Sequence, residues 1–241
     1  MTMEHRSRPS PNHGPRPFPG RVDLLILHYT GMTTTAAALD RLCDPASEVS
    51  THYLVDEDGT IWQLVDETRR AWHAGRAFWA GATNINDRSI GIELANRGHE
   101  HGYRPFPEAQ LAALESLAHA ILARHPIAPE RVLGHSDVAP ERKQDPGELF
   151  PWERFATAGI GFWPDFARTA DVGDSLGILA AQHRLADIGY LVRPSGRCDR
   201  PTSAAIAAFQ RHWRSANCDG ALDIETARRI AIRAKVTPSR P

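Results

Sequence analysis

The feature that most constrains this chain is a short apolar run, Val22-Asp23-Leu24-Leu25-Ile26-Leu27, that ends directly on His28. Such a run, apolar at consecutive positions, reads as a strand buried on both faces, as in sheets covered by helices. A second short strand, Arg131-Val132-Leu133-Gly134, carries His135 out at its end. Between them, Ser89-Ile90-Gly91-Ile92-Glu93-Leu94 alternates with period two. Ile90, Ile92 and Leu94 then share one face, and Ser89, Gly91 and Glu93 the other. Glu93 lies on a face kept clear by a glycine and a serine.

Helical patterns separate these strands. Thr33-Thr34-Thr35 can cap a helix through residue 42, which Asp44-Pro45 stops. Residues 107–124 place Leu111, Leu114, Ala118, Ile121 and Leu122 on one stripe, with Pro107 suited to a first turn and Pro126 as a stop. Residues 52–55 and 60–65 flank Asp56-Glu57-Asp58-Gly59, a hairpin turn. The expected fold class is α/β, a mixed central sheet flanked by helices.

The chain has 241 residues, enough for one sizeable domain and a small second one. Residues 1–20 are rich in Pro, Arg, Ser and His and read as a disordered leader. The α/β domain is assigned to 21–158, and 159–172, opening on Gly159-Ile160-Gly161-Phe162-Trp163-Pro164, to a linker. Over 173–236 the pattern is a small three-helix domain. It begins with a helix over 174–188 closed by Gly189. It continues with an internal repeat, in which Gly196-x-x-Asp199-x-x-Thr202 is matched by Gly220-x-x-Asp223-x-x-Thr226. In each copy the Asp can cap a helix with the Thr in its first turn.

A net charge of -1 gives no bulk attraction to nucleic acid or to an anionic membrane. No segment is long and apolar enough for a membrane span, and the leader has no apolar export signal. The cytoplasm is the expected compartment, with the periplasm or release at lysis as the alternative. Cys43, Cys198 and Cys218 form no C-x-x-C pair, and free thiols are expected over a Cys198–Cys218 disulfide.

Two histidines at strand ends, with Asp145 in the loop after His135, make a two-His, one-carboxylate set that leaves a fourth position for water, a common catalytic zinc arrangement. Each residue alone reads equally as a hydrogen-bonded loop residue. The pair His99 and His101 lies in a glycine-flanked loop with no third ligand implied. His125 at a helix end suits the dipole there, and His52 reads as structural in the hairpin.

Five stretches in order resemble the zinc-dependent N-acetylmuramoyl-L-alanine amidase family. They are Leu27-His28-Tyr29-Thr30, then 50–59 (STHYLVDEDG), Ala71-Trp72-His73-Ala74-Gly75, then 86–94 (NDRSIGIEL), and Gly134-His135-Ser136-Asp137 with Lys143-Gln144-Asp145-Pro146-Gly147. The resemblance covers about residues 22–155 and implies Zn2+ on His28, His135 and Asp145, with Glu93 and Lys143 in catalysis. Zinc-activated water would attack the amide, Glu93 would act as general base and acid, and Lys143 would stabilise the oxyanion. Trp72, His73 and Asn86 are the expected substrate contacts. Residues 173–235 are similar to helical peptidoglycan-binding domains, through Leu185-Ala186-Asp187-Ile188-Gly189-Tyr190, Ala208-Phe209-Gln210 and the repeat. The resemblance thus implies peptidoglycan fragments or cell wall as partner. A catalytically silent recognition protein is the alternative, and the filled ligand set argues for the enzyme.

Overall fold

The structure is a computed structural model that describes residues 5–17, 21–167 and 177–236. In chain order its strands are β1 (His5–Ser7), β2 (His13–Pro15), β3 (Leu24–Tyr29), β4 (Tyr53–Val55), β5 (Ile61–Gln63), β6 (Arg69–Ala71), β7 (Ser89–Leu94) and β8 (Val132–Gly134). One mixed sheet has the order β1-β5-β4-β7-β3-β8, with β4 and β5 antiparallel and the remaining pairs parallel. β2 and β6 form a separate antiparallel pair. The helices of this part are α1 (Thr35–Cys43), α2 (Gly98–His101), α3 (Glu108–Arg124), α4 (His135–Val138) and α5 (Trp152–Thr157).

The apolar run in β3 is explained by burial on both sides. Leu25 and Leu27 join Ile90, Ile92 and Leu94 under the Leu111, Leu114 and Ile121 stripe of α3. Leu24 and Ile26 face the opposite way, against Trp79, Ile85 and Leu133. Each such side chain contributes about 1.5–3 kcal/mol on full burial. Helix α1 starts where Thr34 accepts a hydrogen bond from the Ala37 amide, and covers Leu54 and Leu64 with Ala38, Leu39 and Leu42.

Register then sets the functional level. Leu24, Ile26 and His28 pair with Ser89, Gly91 and Glu93, and Leu27 pairs with Gly134. Paired residues of parallel strands project to the same face. His28, Glu93 and the residue after Gly134 therefore emerge side by side at the carboxyl ends of three adjacent strands, where α/β sheets bind ligands.

Residues 5–17 differ from the disordered leader expected over 1–20, of which 1–4 and 18–20 lie outside the described residues. β1 adds to the sheet edge, β2 pairs with β6, and Arg16 is buried. Its guanidinium donates to the carbonyl oxygens of Glu67, Asn86, Asp87 and Ser89. Ser10 and Asn12, also buried, donate to the carbonyls of Leu42, Asp44 and Val49. Polar side chains satisfying buried backbone groups order this segment, with no apolar run to announce it.

The described part of the expected linker, 159–167, is packed as well. Ile160 is buried, Trp163 lies against the cores of both parts, and Phe162 and Phe166 sit beneath Arg233 and Arg229 at 4.8 and 4.7 Å. Residues 168–172 of that linker lie outside the described residues.

The C-terminal part holds α6 (Ile178–Ile188), α7 (Arg200–Trp213) and α8 (Ile224–Lys235). The first helix starts at 178, and 174–176 of its expected span lie outside the described residues. Asp199 and Asp223 cap α7 and α8 through the amides of Thr202 and Thr226. The repeat extends to two buried glutamines: Gln182 donates to Thr202 and accepts from Gly196, while Gln210 donates to Thr226 and accepts from Gly220. This part shares a core with Trp79, Leu133 and Val138 of the sheet region. Asp137 of α4 anchors it: Tyr190 donates to Oδ1 at 2.6 Å, and Oδ2 meets His212 Nδ1 at 2.8 Å. Trp152 stacks on His212 with ring centres 3.8 Å apart. Cys43, Cys198 and Cys218 are free thiols. No helix among the described residues is long and apolar enough to cross a membrane.

Candidate metal centre and active-site cleft

His28 ends its buried strand, and His135 opens α4 just after β8. Asp145 returns from the following loop, fixed where its carbonyl accepts from the Ser136 amide at 2.9 Å. All three residues are buried. His28 Nδ1 lies 2.9 Å from His135 Nδ1, and the two nitrogens lie 2.9 and 3.0 Å from Asp145 Oδ2. Their ligand atoms all fall within 4.8 Å of one another.

The chemistry of this donor set fits a cation. His135 Nε2 lies 3.0 Å from the Ala74 carbonyl, which only accepts, so its proton belongs there and Nδ1 keeps a lone pair. Two imidazole lone pairs and a carboxylate oxygen packed this closely repel one another unless a positive charge lies between them. Burial pushes the His28 imidazole down to about 4, with His135 adding to the shift and Asp145 opposing it. His28 is thus neutral, as a metal ligand must be. For Asp145, burial opposes ionisation, but its contacts with His135 and then His28 outweigh it and hold the carboxyl well below its usual range.

Glu93 shares this level. Its Oε2 is shielded from solvent and has no hydrogen-bond partner, a costly arrangement for a carboxylate. Burial, then the charge of Asp145, raise its carboxyl well above the ordinary value, and Lys143 opposes the shift. Lys143, whose amide donates to the Ala139 carbonyl, has no partner for its ammonium among the described residues and lines the same cleft as Glu93, His135 and Asp145. The cleft holds about 560 Å³.

Trp72 and His73 also line the cleft. Asn86 does not: it is buried, and its Oδ1 accepts from the amides of His73 and Ala74 at 3.2 and 2.8 Å. It shapes the loop behind the cleft instead of facing substrate. His99 and His101 lie on α2 at the rim, where His99 contacts Tyr29 and Glu148 and its ring stacks on Tyr103. His125 meets Glu67 at 2.7 Å, so a carboxylate holds it in addition to the helix end. His52 is structural as expected. Its Nδ1 accepts from the Gly91 amide, and burial together with Arg16 pushes it down to about 3. The arginine beneath it and the orphaned Glu93 oxygen carried no local sequence signal.

Comparison with known proteins agrees with this geometry. Residues 18–148 match the N-acetylmuramoyl-L-alanine amidase family model, and 175–230 match a peptidoglycan binding domain model. The chain is 41% identical over 230 residues to the N-acetylmuramoyl-L-alanine amidase AmiD of Escherichia coli, covering 86% of this chain and 80% of that protein. It is 34% identical over 176 residues to the 1,6-anhydro-N-acetylmuramyl-L-alanine amidase AmpD of Haemophilus influenzae, covering 66% and 94%. The solved complex of the Escherichia coli AmiD with anhydro-N-acetylmuramic acid-L-Ala-D-gamma-Glu-L-Lys superposes with a TM-score of 0.80 at 39% identity, over 91% of each chain. AmpDh3 of Pseudomonas aeruginosa, solved with anhydromuramic pentapeptide, gives a TM-score of 0.79 at 36% identity, over 92% and 95%. With the sheet, the cleft and both sequence segments in agreement, this chain belongs to the N-acetylmuramoyl-L-alanine amidase family.

Proposed function

We propose that the chain is a zinc hydrolase that cuts the amide between the lactyl group of an N-acetylmuramoyl sugar, foremost its 1,6-anhydro form, and L-alanine. The observation that carries this reading is the convergence of two imidazole lone pairs and one carboxylate beside an unpartnered glutamate. His28, His135 and Asp145 would hold the ion. When bound, zinc supplies a Lewis acid and a water acidified to a pKa of about 7. Glu93 takes the proton of the attacking water and passes it to the departing amine of L-alanine, as its raised proton affinity allows. Lys143 presents a fixed cation to the oxygen on which negative charge builds. Trp72 offers a face for the sugar or the first peptide residues. The C-terminal helices hold wall material near the cleft.

The relatives' names and bound molecules supply the anhydro preference. The test is digestion of a defined soluble anhydro-muropeptide and of intact sacculi, with products read by mass spectrometry. Release of a stem peptide beginning at L-alanine, faster from the soluble substrate, is expected. Faster turnover of sacculi would overturn that preference.

A further inference from the structure

We infer that His73 is a positioning residue for the metal set: its ring links Ser89 to His28 and fixes which nitrogen of His28 faces the ion. Ser89 Oγ lies 2.7 Å from the Ile85 carbonyl oxygen and donates its single proton there. The hydroxyl is then an acceptor for His73 Nε2 at 3.0 Å, so the proton of the His73 ring sits on Nε2. His73 Nδ1 keeps a lone pair and lies 3.0 Å from His28 Nε2, which must be the donor. His28 Nδ1 is left without a proton, 2.9 Å from Asp145 Oδ2, ready to bind a cation. A proton moved to that nitrogen would block the ligand position. The relay Ile85–Ser89–His73–His28 therefore sets the tautomer before any ion arrives.

The surroundings hold the ring to this task. A Cβ at Gly91 would come within 2.5 Å of the His73 ring, so the bare backbone of β7 makes the space for it. His52 meets the ring edge-on, with centres 5.8 Å apart and planes at 71°. His52 is in turn fixed by the Gly91 amide, and Arg16 lies behind it. An imidazole kept only to fill a core would leave its nitrogens to any chance partner. Here both nitrogens are committed to one directional chain that ends on a ligand. Partners of this kind orient metal-ligating histidines generally, and their loss weakens metal binding about 10–100-fold.

The inference rests on His28 being a metal ligand, so its test has one arm that needs no metal. In metal-free wild-type protein with 15N-labelled histidine, long-range proton–nitrogen correlation spectra should show His28 and His73 as Nε2–H tautomers. A His73 proton on Nδ1 would overturn the relay even if zinc binds. In the second arm, zinc affinity is measured by competition with a chromophoric chelator. His73→Leu should weaken it about 10–100-fold. His73→Gln, which can accept from His28 and donate to Ser89, should recover most of the loss. Equal weakening in both variants, or wild-type affinity in His73→Leu, would reduce His73 to packing.

Discussion

Asp145→Ala is expected to lose its zinc and its activity together. In the wild type, metal analysis should find about one equivalent, as one site with three protein ligands demands. Removing Asp145 takes away the one negative charge of the set and leaves the two Nδ1 atoms of His28 and His135, 2.9 Å apart. Affinity should fall by more than the roughly 10–100-fold typical of losing an outer partner. Stability reports the same event. A ligand at a thousand times its dissociation constant stabilises the folded state by about 4 kcal/mol. For a domain of this size, removing it lowers Tm by on the order of 10 °C. Chelator should therefore depress the wild-type Tm and leave that of Asp145→Ala unmoved. A variant that still holds one zinc and responds to chelator would refute the ligand assignment.

Glu93→Gln should separate chemistry from binding. The amide keeps the shape of the side chain and removes its capacity to take a proton. Zinc content should stay near one equivalent while kcat falls about 10²–10⁴-fold, the usual contribution of a positioned acid–base group. Tm should hold or rise, because the substitution removes a carboxylate whose Oε2 is buried without a partner. A kcat within a few-fold of wild type would remove Glu93 from the mechanism. A drop in Tm would show that the carboxylate is structural.

The sequence was informative where local patterns carry the structure. The apolar run before His28, the alternation around Glu93 and the capping aspartates of the repeat are periodic signals, and the corresponding elements form at those places. The leader was opaque because its order rests on Arg16, Ser10 and Asn12 reaching backbone carbonyls far along the chain. Such bonds leave no period to detect. The packed linker did carry a signal, the aromatic density of Phe162, Trp163 and Phe166, which its glycines and proline obscured. Asn86 and His73 stand in neighbouring family stretches. One turned into the loop and the other against His28 because of Gly91 and Ser89, a distinction that exists only once β7 is paired with β3. The bond from Asp137 to Tyr190 and His212 is likewise a contact between distant segments, and it ties the helical part to the turn that carries His135.

The central claim is that one ion is shared by three side chains from distant parts of the chain. Crystals of zinc-loaded protein, measured on either side of the zinc absorption edge, test it directly. The account predicts a single strong anomalous peak, about 2.0–2.2 Å from His28 Nδ1, His135 Nδ1 and an Asp145 carboxylate oxygen. Zinc held by other side chains, with these three atoms free in the saturated protein, would contradict it.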